Sequence, residues 1–109
     1  MADRLDGKVC VVSGAGRGIG EGIAIRLASE GAKVVIADLD ERAGKKVAAG
    51  IEKVGGSAIA VKCDVADRKS AREMIRATVK AFGRLDVIFN NAAVAEIRPF
   101  MEVREQDWN

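Results

Sequence analysis

Residues 9–12 form an unbroken apolar run, and glycine then occupies every second position of the next segment: Gly14, Gly16, Gly18 and Gly20. Since glycine raises the entropic cost of ordering a chain, several together indicate that the backbone approaches another group closely. A strand-to-helix turn without side chains exposes the first N–H groups of the helix, which favour phosphate or pyrophosphate. The segment therefore predicts a diphosphate-binding loop, and a tight turn without a ligand is the alternative.

Two acidic residues stand at the ends of the next two apolar runs. A carboxylate at Asp38 can accept hydrogen bonds from both hydroxyls of an adenosine ribose, and it repels a 2′-phosphate. Leu39 supplies no cation that would bind such a phosphate. Farther along, Asp64 could accept a hydrogen bond from an adenine amino group while the Val65 backbone meets the ring. The alternatives are a surface acid in a turn for Asp38 and a residue that helps to cap a helix for Asp64.

These residues need a scaffold that brings the strand ends to one edge. Runs of mainly apolar residues predict four strands, at 9–12, 34–37, 59–61 and 85–89, and the first of them is continuously apolar, as expected of a strand covered on both faces. Apolar stripes predict a helix after each of the first three strands: Ile19, Ile23 and Leu27; Val47, Ile51 and Val54; Ala71, Ile75, Thr78 and Phe82. Helix ends are expected at Gly31, Gly55-Gly56 and Gly83, with Asp67 as an N-cap. This β-α-β-α-β-α-β order predicts an α/β fold with a three-layer, doubly wound parallel sheet in the strand order 3-2-1-4.

The composition excludes several classes of function. A formal net charge of +2 favours neither nucleic acid nor an anionic membrane as a partner. No apolar run approaches the roughly 20 residues that span a bilayer. The sequence contains no His, so a zinc site is not expected from the widely separated Cys10 and Cys63. Both cysteines are expected to be buried free thiols, which indicates a reducing, cytoplasmic location.

Three short motifs at strand ends resemble those of the short-chain dehydrogenase/reductase family. Residues 13–20, SGAGRGIG, are similar to its TGxxxGIG motif, and the positions that match are Gly14, Gly18, Ile19 and Gly20. Residues 90–93, NNAA, are similar to its NNAG motif, with Ala93 at the usual glycine. Residues 63–65, CDV, are similar to its Asp-Val step after the third strand. The resemblance implies a Rossmann-like, dinucleotide-binding portion.

The resemblance also implies roles for several residues. The side chain of Asn90 would brace the sheet while its backbone lies along the cofactor, with Ala92 close by. Arg17, just before the second motif glycine, could meet a 2′-phosphate, and an ordinary exposed loop arginine is the alternative. NAD is the expected cofactor, because Leu39 stands where relatives that use NADP often carry Arg. Arg17 and Arg42 leave NADP possible.

Members of this family transfer hydride between a nicotinamide cofactor and an alcohol or carbonyl substrate, with a Tyr and a Lys four residues later as the acid/base pair. The sequence contains no Tyr, so no catalytic residue is assigned. Residues 1–109 are therefore expected to be the cofactor-binding front portion of a longer single-domain enzyme, truncated before its catalytic segment. Residues 103–109 look like the first turns of another helix. The full-length enzyme is expected to be a homo-oligomer, either a dimer or a tetramer.

Two alternatives to this function differ in class. One is a stand-alone NAD-binding module without catalysis. The other is an S-adenosylmethionine methyltransferase, which also has a glycine loop after its first strand. That fold uses an acidic residue two positions before the first glycine, where this sequence has Val12. The methyltransferase is therefore disfavoured.

Overall fold

The computed structural model describes residues 5–16 and 18–91. In these ranges four strands alternate with three helices: β1 (Val9–Ser13), α1 (Gly18–Ser29), β2 (Lys33–Asp38), α2 (Glu41–Lys53), β3 (Ser57–Lys62), α3 (Arg68–Phe82) and β4 (Val87–Asn90). The strands form a parallel sheet in the order β3-β2-β1-β4. The predicted α/β class, the alternation of elements and the strand order are confirmed. The segment 103–109, predicted to begin a helix, lies outside the described residues.

β1 lies inside the sheet and is buried along its whole length. All five of its residues are buried, because β2 and β4 pair with its two edges and helices cover both faces. A strand in this position has no solvent-facing side, so its sequence is continuously apolar rather than alternating. Its register pairs Ser13 with Ala37 on one side and with Asn90 on the other. The ends of these three strands therefore lie at the same level.

The sheet separates two apolar cores. On one face, Val34 packs with Ala24 of α1 and Val47 of α2. On the other face, Val35 packs with Met74 of α3. Because successive residues of a strand point to opposite faces, neighbouring residues of β2 contribute to different cores. Helices α1 and α2 form one layer and α3 forms the other, which confirms the predicted three-layer arrangement.

Two apolar residues that were assigned to buried helix stripes are exposed instead. Ile19 is 77% exposed and Val54 is 85% exposed. Ile19 lies in the first turn of α1, to one side of the face on which Gly20 and Ala24 are buried. Val54 follows the last residue of α2 as its C-cap, so it does not continue the helical period. For these two residues the stripe predictions were wrong.

The structure has the predicted C-terminal end of α1 and the predicted N-terminal end of α3. Gly31 follows α1 with a φ of 96°, which glycine adopts readily. The N–H of Gly31 donates to the carbonyl of Ala28 at 3.0 Å, and the N–H of Ala32 donates to that of Leu27 at 3.1 Å. These two bonds satisfy carbonyl groups that the end of a helix otherwise leaves unpaired. At the start of α3, the side chain of Asp67 is the N-cap, as expected.

Candidate functional site

The parallel register places the glycine loop beside the ends of two other strands. Ser13, the last residue of β1, pairs with Ala37 and with Asn90. The N–H of Gly14 then donates to the carbonyl of Ala37 at 2.7 Å, so the loop starts directly at the end of β2. From β1 the chain adds β2 and β3 on one side of that strand, and it then crosses over to add β4 on the other side. In open α/β sheets, ligands bind at the carboxyl ends of the strands at such a switch point.

The loop uses glycine for two different physical reasons. Gly14 and Gly18 have φ values of 66° and 62°, a conformation that residues with a side chain rarely adopt. Gly20 lacks such a φ, but it has no room for a side chain. A Cβ there would collide with the carbonyl oxygen of Gly14 and lie 2.8 Å from Nδ2 of Asn91. The first turn of α1 therefore packs directly against the loop.

Asp38 is half-buried at the end of β2, and both of its carboxylate oxygens accept backbone hydrogen bonds. The N–H of Gly16 donates to Oδ2 at 2.8 Å, and the N–H of Asp40 donates to Oδ1 at 2.8 Å. A carboxylate offers about four lone-pair sites, so each oxygen retains capacity for one more donor. Two adjacent hydroxyl groups, such as those of a ribose, match that remaining capacity. The contact between Gly16 and Asp38 was not predicted from the sequence.

Asp64 lies in a loop after β3 that is held by local hydrogen bonds. The exposed carboxylate of Asp64 accepts the N–H of Ala66 at 3.0 Å. Its own N–H donates to Oγ of Ser70, in the first turn of α3, at 2.9 Å. Val65 is half-buried and packs against the core beneath α3. The side chain that caps α3 is that of Asp67, so the Asp64 carboxylate is not the cap.

Side chains at the end of β4 connect that strand to β1 and to the loop. The hydroxyl of buried Ser13 lies 3.2 Å from the carbonyl oxygen of Phe89 and 3.0 Å from Oδ1 of Asn90. Its single proton serves either acceptor. Nδ2 of Asn91 donates to the carbonyl of Gly14 at 3.5 Å. Asn90 thus contacts the neighbouring strand, as the resemblance implies. Asn91 was not predicted to be a site residue, and the repeated asparagine was the available signal.

A cavity of about 420 Å³ lies among these groups. Six of the predicted site residues line it: Gly14, Asp38, Leu39, Asp64, Val65 and Asn90. Small-molecule sites typically enclose roughly 300–1,000 Å³ and combine apolar walls with a few polar groups. Cys63 also lines this cavity, and burial raises the pKa of its thiol, which is therefore neutral. The structure thus brings more than half of the predicted site together.

Three other predicted residues, all in α1, do not line this cavity. Gly18 and Ile19 are exposed at the start of α1, and Gly20 is buried under the loop. The positive end of the α1 dipole is at this position, where an anion would be stabilised. Arg17 and Ala92 lie outside the described residues.

A larger cavity of about 940 Å³ lies between α1 and α2. Its walls include Ala28, Val47, Ile51 and Val54, and among the described residues no strand contributes to them. The carboxylates and the asparagine described above line the smaller cavity instead. We therefore assign the candidate site to the smaller cavity.

Within residues 5–16 and 18–91, no three His, Cys, Asp or Glu side chains are grouped so that they could hold a metal ion. None of the helices described in those ranges has the length and apolar character needed to cross a bilayer.

The fold and the site together define a class of protein. A doubly wound sheet with a glycine loop before its first helix and an acid at the end of its second strand is typical of nucleotide-binding α/β proteins. The model of one family, short chain dehydrogenase, matches residues 8–109. The chain therefore belongs to the short-chain dehydrogenase family.

Individual relatives agree with this assignment. A 2,5-dichloro-2,5-cyclohexadiene-1,4-diol dehydrogenase of Sphingobium indicum is 43% identical over 109 residues, which is 100% of this chain and 44% of the relative. The crystal structure of a hydroxysteroid dehydrogenase from Escherichia coli matches with a TM-score of 0.78 and 37% identity, over 80% of this chain and 37% of that one. A short-chain dehydrogenase/reductase from Burkholderia phymatum, crystallised in complex with NAD, matches with a TM-score of 0.75 and 36% identity, over 78% and 30% of the two chains. The chain spans 41–44% of the length of the first three curated relatives.

Proposed function

We propose that this chain is the NAD(H)-binding portion of a dehydrogenase or reductase that transfers hydride between nicotinamide and an alcohol or carbonyl group. The observation that carries the proposal is the Asp38 carboxylate, which lies 2.8 Å from the N–H of Gly16 in the glycine loop. Family membership supports the hydride chemistry. The NAD complex of the Burkholderia phymatum relative supports the choice of ligand.

In this proposal the loop and the start of α1 bind the diphosphate. Gly14 and Gly18 allow the backbone to turn, and Gly20 allows the helix to approach the loop. The N–H groups at the helix start then face the anion, with the dipole adding to the attraction. Ile19 lies in the same turn, where its exposed side chain is next to the bound diphosphate. Arg17 belongs to this part of the proposed site through the resemblance.

The remaining residues bind the adenosine half and guide the cofactor along the sheet. The acceptor sites left on Asp38 bind the two ribose hydroxyls. Asp64 accepts a hydrogen bond from the adenine amino group, and the Val65 backbone meets the ring. The backbone of Asn90 lies along the cofactor, with Ala92 following it. The cavity that these described residues line is continuous with the glycine loop through Gly14.

Charge at the ribose supports NAD over NADP. Two unit charges about 4 Å apart repel by roughly 1–4 kcal/mol in surroundings between bulk water and a protein surface. A 2′-phosphate beside the Asp38 carboxylate would meet this repulsion. The neighbouring Leu39, 63% exposed, carries no charge that could offset it. Exposed Arg42, on α2, leaves dual use of NAD and NADP as the finer alternative.

The chemistry divides between the cofactor and the protein. Nicotinamide, when bound, supplies or accepts the hydride, and this chain binds and orients it. Reduction of a carbonyl also needs a proton donor, and the sequence contains no Tyr to act as the family's acid. We therefore propose that the active enzyme includes residues beyond this sequence, in keeping with the 41–44% share of its relatives' length. A homo-oligomeric assembly and a cytoplasmic location remain predictions.

The test replaces Asp38 in the natural gene product and titrates NADH and NADPH by cofactor fluorescence. Asp38→Ala is expected to weaken NADH binding about tenfold or more, because hydrogen bonds to a charged group are lost. It should also relax the discrimination against NADPH. Glu52→Ala removes an exposed acid on α2 as the matched control and should change neither affinity. Unchanged affinities for both cofactors in Asp38→Ala would remove this residue from the site and overturn the proposal.

A further inference from the structure

Gly16 is the glycine of the loop that makes no direct contact with NAD in the proposed binding mode; it contacts Asp38 instead. Its φ lies outside the left-handed region, so a residue with a side chain could adopt its backbone conformation. What this position lacks is space. An ideal Cβ would lie 2.8 Å from Oδ2 of Asp38 and 3.0 Å from Cβ of Ala43.

The two neighbours of Gly16 differ in their freedom to move. Ala43 belongs to the first turn of α2, where its N–H donates to Oδ1 of the N-cap Asp40 at 3.1 Å. Asp38 presents only the end of a flexible side chain, which can rotate about its own bonds. A side chain at position 16 would therefore displace the Asp38 carboxylate before it displaced the helix. That rotation would break the bond between the Gly16 N–H and Oδ2, which is 2.8 Å long.

We propose that Gly16 determines cofactor specificity by positioning Asp38. With no side chain at this position, the Gly16 N–H holds Oδ2 while the Asp40 N–H holds Oδ1, so the carboxylate is fixed from both sides. In that orientation it accepts the ribose hydroxyls and opposes a 2′-phosphate. Gly16 acts through Asp38 and is a positioning residue. The inference rests on the proposed binding of NAD.

The first test is Gly16→Ala in the natural gene product, with dissociation constants for NADH and NADPH measured by fluorescence. NADH binding is expected to weaken about tenfold, as for other lost hydrogen bonds to a charged group, while NADPH binding changes less. The preference for NADH over NADPH therefore falls. General damage to the loop would instead weaken both cofactors equally. Such an unchanged preference would overturn the inference.

Gly50→Ala is the matched control for this change. Gly50 lies in α2, the helix that contains Ala43, and a Cβ there would have nothing within 4 Å. Both affinities should stay at their wild-type values. The same Gly16→Ala change is then made in an Asp38→Ala background, where no carboxylate remains to be displaced. There it should leave the preference unaltered, and an equal effect in both backgrounds would contradict the inference.

A second measurement does not depend on how well Gly16→Ala folds. Amide hydrogen exchange is followed by NMR at Gly16 and Gly14 in cofactor-free wild type and in Asp38→Ala. The Gly16 amide should be protected in the wild type and exchange several-fold faster in the variant, because its acceptor is lost. The Gly14 amide, which donates to Ala37 at 2.7 Å, should keep its protection. Equal Gly16 exchange in both proteins would overturn the inference, whereas wild-type protein that binds no NADH would overturn the proposed function.

Discussion

Gly20 and Gly22 lie two positions apart in α1 and have opposite surroundings. Gly20 is buried, and a Cβ would collide with the Gly14 carbonyl and crowd Asn91. Gly22 is exposed, and a Cβ there would have nothing within 4 Å. Gly20→Ala is therefore expected to lower the free energy of unfolding by about 1–3 kcal/mol, the usual cost of overpacking. Gly22→Ala should raise it by roughly 0.5–1 kcal/mol, because alanine favours the helix.

Urea denaturation followed by circular dichroism measures both changes. The two variants should shift the midpoint in opposite directions, and Gly20→Ala should also weaken NADH binding because it displaces the loop. If the two variants had equal urea midpoints, the collision at Gly20 would be relieved with little loss in the free energy of unfolding.

At the scale of residues, spacing predicted part of the site. The positions of Gly14, Gly18 and Gly20 follow a pattern within one short segment, and the structure places Gly14 in the turn and the other two in the first turn of α1. The contact between Gly16 and Asp38 joins residues 22 positions apart. It depends on how β1 and β2 align and on which way one carboxylate points, neither of which the local spacing contains.

At the scale of elements, Asp86 joins the start of β1 to the start of β4. Its Oδ2 accepts the N–H of Val9 at 2.8 Å and Nε of Arg84 at 2.9 Å, and its Oδ1 accepts Nη2 of Arg84 at 2.8 Å. Hydrogen bonds from the Arg84 guanidinium, together with the bond from Val9, lower the pKa of Asp86 below its usual value. The side chain is 18% exposed, so this cluster is partly shielded from water.

This shift predicts a pH-dependent contribution to stability. The pKa of Asp86 is lower in the folded chain than in the unfolded chain. Its contribution to the free energy of unfolding is therefore complete at pH values above the pKa of the unfolded chain, and it is lost as the pH falls through the pKa of the folded chain. Asp86→Asn should therefore lower the urea midpoint at pH 7. The difference from wild type should shrink below about pH 4, near the ordinary Asp pKa. Arg84→Gln should also lower the midpoint at pH 7, and a difference that is constant with pH would contradict this account.

The order of helices and strands was largely predictable from the sequence, but the residues at which they begin and end were not. The segment 85–89 was predicted as the fourth strand, whereas β4 spans Val87–Asn90. Leu85 instead packs against the core beneath α3, so an apolar residue can be partly buried without belonging to a strand. Ile19 and Val54 show the same limit for helices, because an apolar side chain near a helix end need not face the sheet.

At the scale of the whole molecule, each of the two cores contains one cysteine. Cys10 lies in the core beneath α1 and α2, and Cys63 lies in the core beneath α3. Burial raises the pKa of both thiols, and neither forms a disulfide. In the folded protein both are therefore expected to resist a thiol reagent.

Labelling at increasing urea tests whether the two cores unfold together. Since both cores share the same sheet, Cys10 and Cys63 should become reactive at the same urea concentration, as in a two-state transition. Mass spectrometry of Cys10→Ala and Cys63→Ala, each of which retains one thiol, separates the two sites. Labelling of Cys63 well before Cys10 would show instead that the α3 layer opens independently.

The overall architecture was the most predictable level. An alternation of strands and helices, together with the rule that crossovers are right-handed, leaves only a few possible topologies for a four-stranded parallel sheet. The larger cavity between α1 and α2 could not be predicted in this way, because its volume depends on how closely two helices approach each other.

The position of β4 has a consequence for synthesis on the ribosome. β1, β2 and β3 can pair in the order in which they leave the ribosome, but the bond between Val9 and Asp86 spans 77 positions. At about 5–20 residues per second, the segment from β3 to β4 takes on the order of a few seconds to translate. During that interval the backbone N–H and C=O groups on one edge of β1 have no neighbouring strand, and open strand edges promote aggregation. The nascent chain therefore exposes this edge of β1 until its fourth strand emerges.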